Sequence, residues 1–198
     1  PPTAGRHVVG PMVQLRWGSP TLLTLDLALL VELPAPIRVI VLGRLQVLLP
    51  DQSHPLVQIR MDALGVLDLS AETVALDATL YDSRILQFTL TGDMALRAGW
   101  GRQPQFVLAI GGFHPRFAPP PGLPALQRLA LQLADGDSLQ LRCQAYLAVT
   151  SNTVQFGARV DLHAAGGGFS FDGLLGFDAI LQLAPLAFEV EVGAALAL

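Results

Sequence analysis

Lysine is absent from this sequence; all 12 basic residues among its 198 are arginine. Within these residues there is no Schiff-base amine and no P-loop lysine, so both chemistries fall away. Cysteine is nearly as scarce. The single Cys143 cannot close an intrachain disulfide, which excludes the cysteine-stapled scaffold of small secreted domains. It shares its phase with Leu141 and Leu147, so an inert buried thiol is expected. Charge is thin at 14% of residues, against about 25% in ordinary domains. The net charge is −4, with no basic block and no interleaved basic and aromatic residues, so nucleic-acid binding has no electrostatic footprint. No window reaches about 18 uninterrupted apolar residues, which excludes a transmembrane helix. The richest run, Ile37 to Leu49, is cut by Arg38 and Arg44. Long amphipathic helices, heptads and low-complexity tracts are missing too.

What is present is hydrophobic mass: 52% of residues, with mean hydropathy +0.49. That balance is the opposite of a disordered chain. The apolar residues alternate. Leu23, Leu25, Leu27, Leu29, Val31 and Leu33 hold one phase, and Thr24, Asp26, Ala28, Leu30 and Glu32 hold the other. A period of two puts each set on its own face of a β-strand. Strands are expected at 12–17, 22–33, 37–49, 57–69, 74–81, 85–97, 106–111, 129–133, 139–149, 154–162, 169–183 and 188–198. The separators are rich in Gly, Pro, Asp, Asn and Ser, and most are too short for a parallel crossover. The expected fold class is all-β: an antiparallel meander of long strands curled into a sandwich, groove or open barrel with an aliphatic interior.

Register follows from the turns. A loop at Pro34 to Pro36 sets Leu33 opposite Ile37, Glu32 opposite Arg38 and Asp26 opposite Arg44. A loop at Thr150 to Thr153 sets Leu147 opposite Phe156, Arg142 opposite Asp161 and Tyr146 over Gly157, an aromatic covering a strand glycine. Extension across Ala164 to Gly168 sets Val160 opposite Phe171 and Arg159 opposite Asp172. Opposite-charge pairs of this kind add about 0.2–1 kcal/mol each, enough to select a register. One β-rich domain is expected over residues 1–198, with an internal division near 118–124 where Pro119, Pro120, Pro121 and Gly122 interrupt the pattern. The apolar ends read as cut from a longer chain.

No catalytic, cofactor-binding or metal-ligating residue can be nominated. His7, His54, His114 and His163 are scattered without metal-ligand spacing. The string from Gly111 to Phe117 could offer His114 and Arg116 to an anion. A strand exit held by Gly111 and Pro115, with Phe113 and Phe117 packed inside, is the favoured reading. Gly166 to Gly168 reads as a hairpin loop rather than a dinucleotide fingerprint. Ser170 misses the nucleophile-elbow spacing by one residue. Asp77, Asp93, Asp178, Glu189 and Glu191 fall on outward phases, and Trp17 and Trp100 stand near strand ends beside glycines.

Three strings, Phe88 to Arg97, Gly111 to Phe117 and Tyr146 to Ala158, together resemble a bacterial family known only as domain of unknown function 6603. The family is found in large, β-rich, multi-domain proteins. The resemblance implies a piece of a longer protein and brings no activity, cofactor or catalytic residue.

The outward phase is itself often apolar, as at Leu30, Ile40, Leu42 and Leu48, so both faces of those strands need covering. The expected function is a non-enzymatic structural or interaction module. Its partners would be the remainder of a parent chain, or copies of itself, reached through apolar strand faces and edges. The alternative is a hydrophobic-ligand groove that binds or transfers lipid. An outer-membrane barrel fits less well, because 7% aromatic content makes poor interfacial girdles.

Overall fold

In a computed structural model, described over residues 7–34, 37–102 and 104–198, the alternation becomes strand after strand, with no helix among the described residues. The first strands are β1 (His7–Val9), β2 (Met12–Trp17), β3 (Leu23–Leu33), β4 (Arg38–Leu49) and β5 (Val57–Asp68). Next come β6 (Thr73–Leu80), β7 (Ser83–Ile85), β8 (Phe88–Thr91), β9 (Asp93–Gly99) and β10 (Gln105–Ile110). The last are β11 (Leu129–Asp135), β12 (Leu139–Thr150), β13 (Thr153–Gly166), β14 (Phe169–Gln182) and β15 (Ala187–Ala197). The fold is all-β with antiparallel pairing, as the alternation requires. Two compact units divide it. One contains the segment ending at Leu86 together with Ala95–Val107; the other contains Gln87–Met94 and Leu108–Leu198.

In the first unit β3, β4, β5 and β6 form a meander, with β1 and β2 sharing the outer edge of β3. The expected β3–β4 register is the one observed, Glu32 opposite Arg38 and Asp26 opposite Arg44. Ala35 and Pro36 of the expected loop lie outside the described residues. The ion pairs, however, form with the other neighbour. Arg44 Nε donates to Asp62 Oδ1 at 2.8 Å and Arg38 Nε to Asp68 Oδ2 at 2.7 Å, both on β5, while Asp26 accepts from Gln14 Nε2 at 2.6 Å. A central-strand arginine has a carboxylate on each side, and β5 supplied the partner. The ranks across this sheet are sorted by face. Leu25, Leu45, Met61 and Leu80 line up on one side; Asp26, Arg44, Asp62 and Thr79 line up on the other.

The expected strand over 85–97 is three strands. Leu86 takes a φ of +57° and Gly92 one of +153°, so the chain turns twice. β7 pairs with the end of β5 that β6 does not reach, and Ser83 Oγ accepts the Arg60 N–H at 2.8 Å.

In the second unit β8, β11, β12, β13, β14 and β15 follow one another in antiparallel ladders. The β12–β13 register matches the expectation at every pair named above. The next one does not: Val160 faces Leu175 and Arg159 faces Gly176, while Asp172 lies opposite His163. The cause is a tighter turn. Gly167 and Gly168, with φ of +60° and +87°, make a two-residue connection of the primed type that suits hairpin twist. Ala164, Ala165 and Gly166 therefore stay in the ladder instead of forming a loop. Asp161, opposite Arg142 in register, has its carboxylate bonded by Arg159 on its own strand at 2.8 and 2.9 Å.

The sealed apolar side chains are mostly alanines, Ala28, Ala78 and Ala95 in the first unit and Ala109, Ala130, Ala148 and Ala179 in the second, while the largest fully buried side chains are Gln155 and Ser83. Large aliphatic side chains are left half-exposed on the sheet faces.

Asp68 offers a check on the β4–β5 pairing. The hydrogen bond from Arg38 holds its carboxyl below the ordinary value, with backbone bonds from Ala71 and Ser70 adding to the effect. A carboxyl depressed on folding stabilises above its unfolded pKa, near 3.9, and that gain is lost as pH falls through the folded value. The Asp68→Asn variant should therefore show a lower urea midpoint than wild type at pH 6, and the two midpoints should converge towards pH 3.

Candidate functional site

Two surfaces of the second unit differ in character, and the register explains both. One face of the β12–β15 sheet is aliphatic in rank after rank. Leu147, Phe156, Ala179 and Val190 form one rank; Ala145, Ala158, Phe177 and Val192 the next; Cys143, Val160, Leu175 and Ala194 the one after. Ala179 is sealed, but the larger side chains lie open: Leu175 is 59% exposed and Val192 74%. On the opposite face the ranks read Tyr146, Gly157, Asp178, Glu191, then Gln144, Arg159, Gly176, Gly193.

The polar face holds the groove that most resembles a site. It measures about 620 Å³ and is lined by Arg128, Tyr146, Arg159, Asp178 and Glu191 above the glycines. A second hollow of about 750 Å³ shares Gln144, Arg159 and Leu174 with it. Arg128 sits 3.9 Å over the Tyr146 ring centroid and donates to the carbonyls of Gly111 at 3.0 Å and Phe113 at 2.8 Å. Tyr146 donates its hydroxyl to Asp178 Oδ1 at 2.8 Å. Burial pushes the Tyr146 phenol well above its ordinary range, with Asp178 adding to the effect. Burial also lowers the Arg128 guanidinium, which stays charged given its starting point. A phenol held protonated is a poor base, and an arginine spent on two carbonyls and a ring has little left for an oxyanion. The cluster works as a clasp that fastens the 111–128 segment to the sheet.

That segment contains the string singled out in the sequence. Phe113 and Phe117 stack with centroids 5.5 Å apart. The His114 backbone N–H donates to Gln155 Oε1 at 3.0 Å, and both residues are buried, at 2% and 0% exposure. His114 Nδ1 accepts the Arg116 N–H at 3.2 Å. The Arg116 guanidinium is taken by Glu189 and Glu191, so two carboxylates stand where an incoming anion would have to bind. The strand exit at Gly111, with φ of +70°, is as expected, but the burial is reversed: Phe113 and Phe117 stay half-exposed and His114 is the side chain that goes inside.

The remaining singled-out residues lie apart. Asp77 pairs with Arg97 at 2.8 Å and Asp93 accepts the Gln127 N–H at 2.8 Å. His163 and Asp172 meet at 2.6 Å. His54 caps a turn on Asp51 through its backbone N–H. His7 and Ser170 are exposed, as are Trp17 and Trp100. Cys143 is half-buried. Tyr146 over Gly157 was legible from register. Arg128 was not, because it follows a proline-rich stretch that no ladder places.

The model of a family of unknown function (DUF6603) matches residues 1–198. The chain belongs to that family. No curated protein and no solved structure matches this DUF6603 member.

Two glycines on the groove floor respond differently to a methyl group. A Cβ on Gly157 would strike the Tyr146 ring and come within 2.7 Å of the Phe177 carbonyl oxygen, whereas one on Gly193 would meet nothing within 4 Å. Gly157→Ala should cost about 1–3 kcal/mol by overpacking. Gly193→Ala should be neutral within about 0.5 kcal/mol. Urea denaturation of the two variants checks this.

Proposed function

We propose that this chain is a non-enzymatic structural β-module whose bare aliphatic sheet faces are docking surfaces for another apolar sheet. The observation that carries the reading is the β12–β15 face. No rank from Val149, Val154 and Leu181 to Leu141, Leu162 and Gly173 includes a charged residue, and in the ranks between them Leu147, Phe156, Leu175, Phe177, Val190 and Val192 are exposed. Exposed aliphatic surface on this scale marks a contact region. Burying a Leu or Phe side chain fully contributes about 1.5–3 kcal/mol, so covering even part of the face outweighs the modest cross-strand terms. A flat, pleated face fits a second pleated face at about 10 Å separation. Commitment of Tyr146, Arg128 and Arg116 to partners within the fold supports a role without catalysis.

One observation favours the lipid-groove alternative. The first unit has a groove of about 910 Å³ whose floor includes Met12, Ala28, Leu42 and Leu64. Its neighbouring rank is Gln14, Asp26, Arg44 and Asp62, which suits an elongated amphiphile less well than an aliphatic wall would.

Sedimentation of the purified chain separates these readings. As a docking module it should sediment above its 21.0 kDa monomer mass in a concentration-dependent way. Leu175→Asp should shift it to monomer without lowering the urea midpoint of that monomer. A wild-type chain that is monomeric at all concentrations and unaffected by Leu175→Asp would refute the docking role. Co-purifying lipid in native mass spectrometry would favour the alternative.

A further inference from the structure

β15 is an open edge. Among the described residues it pairs with β14 alone, and its 11 residues are all exposed. It has neither a proline nor a bulge in its ladder to blunt it. The backbone shows what this edge can accept. The Leu183 N–H donates to the Asn152 carbonyl at 2.8 Å, which makes that opposed pair, one step beyond Thr153 and Gln182, a hydrogen-bonded one. Bonded and non-bonded pairs alternate, and neither the β13–β14 nor the β14–β15 ladder shifts. The odd residues of β14 therefore bond β13, and its even residues bond the odd residues of β15 that lie opposite them. That leaves Phe188, Val190, Val192, Ala194 and Leu196 with their N–H and C=O groups turned outward. The same five residues carry the aliphatic face. Building on the docking role proposed above, we infer that β15 pairs antiparallel with β15 of a second copy of this chain, about a two-fold axis that sets Val192 opposite its own counterpart.

Phase, length and charge agree on this register. Even residues meet even residues, so the outward groups bond one another and the apolar side chains of both copies stay on one face. Val190 falls opposite the partner's Ala194, and Phe188 opposite the partner's Leu196. Val192 is the middle residue of Ala187–Ala197, so the whole strand is used. On the other face Glu191 falls opposite the partner's Gly193 and Glu189 opposite the partner's Ala195. Those small residues leave room for the Arg116 guanidinium that holds both carboxylates, and a Cβ on Gly193 would itself meet nothing within 4 Å. Moving the register by two residues in one direction sets Glu191 against Glu191, a like-charge contact. Moving it two in the other direction carries Phe188 past the end of the partner strand. The β2 edge does not offer the same fit. The Leu29 N–H donates to the Pro11 carbonyl at 3.0 Å, so the outward residues of β2 are Met12, Gln14 and Arg16, and pairing would set the valines of β15 beside Gln14 and Arg16. A two-fold interface is isologous and closes at two copies. It joins two aliphatic faces into one of twice the width. Each backbone bond gained replaces one to water and nets little, so the pair depends on that joint face being covered.

Cysteine cross-linking on a Cys143→Ser background tests the pairing. Directly opposed residues of a hydrogen-bonded pair have Cα atoms about 5.5 Å apart, within disulfide range. Val192→Cys should give covalent dimers on mild oxidation. Val190→Cys alone should give at least tenfold less, because its own counterpart lies four residues, about 13 Å, along the strand. Mixed with Ala194→Cys, it should cross-link at least fivefold more than either variant alone. Ala194→Pro removes an outward N–H and no hydrogen bond within the chain, a change an edge strand accepts. It should lower the Val192→Cys yield at least tenfold while far-UV circular dichroism shows the fold intact; should it fail to fold, the comparison of registers decides. Equal yields from Val190→Cys and Val192→Cys, or no dimer from folded Val192→Cys protein, would overturn the edge pairing. If Leu175→Asp lowers the sedimenting mass while Val192→Cys fails to cross-link, the edge pairing alone falls. If Val192→Cys cross-links in register and Leu175→Asp leaves the mass unchanged, the face docking falls and the edge pair stands by itself.

Discussion

A strict period of two, carried in register from strand to strand, is the constraint on which the other features depend. Because each ladder pairs like phase with like, the choice at one turn fixes the composition of a whole face. Leu147 opposite Phe156 commits Ala179 and Val190 to the same side, and it commits Tyr146, Gly157, Asp178 and Glu191 to the other. A slip of one residue would interchange the faces. Backbone ladders supply the connectivity. The exposed arginine–carboxylate pairs add little stability, about 0–1 kcal/mol each, and act mainly by penalising wrong registers.

The burial pattern departs from the usual arrangement of a two-sided sheet. In the second unit the most deeply covered positions near the β12–β13 turn include polar residues on the Tyr146 side. Thr153 and Gln155 are buried there, each hydrogen-bonded, with Gln155 Nε2 donating to Thr153 Oγ1 at 2.8 Å. The aliphatic side is the more open one. Buried amides and hydroxyls are tolerated because each has a partner, and the 111–128 segment supplies the cover through Arg128 and the His114 backbone. The solvent-facing aliphatic ranks have no comparable compensation within their own sheet.

Much of this architecture was legible in the residues. Alternation placed most of the long strands to within a residue or two, and the Thr150–Thr153 turn gave the β12–β13 register pair for pair. What escaped was non-periodic. Gly166 to Gly168 reads equally as a five-residue loop with its neighbours or as a two-residue turn, and only the positive φ at Gly167 and Gly168 decides between them. The break at Leu86 has no turn-forming residue to announce it. Ion-pair partners escaped because an arginine in a central strand has two candidate neighbours and the sequence does not rank them. The clasp was half visible, since Tyr146 over Gly157 follows from register while Arg128 arrives from a segment outside any ladder.

Cys143 stands in the aliphatic rank with Val160, Leu175 and Ala194, half-buried by its own sheet. It is also the one sulfhydryl in the sequence. Its rate of alkylation by a small uncharged reagent therefore reports directly on that side of the molecule, fast where solvent reaches the rank and slow where something lies over it. The fold thus contains a native occupancy sensor that needs no added label.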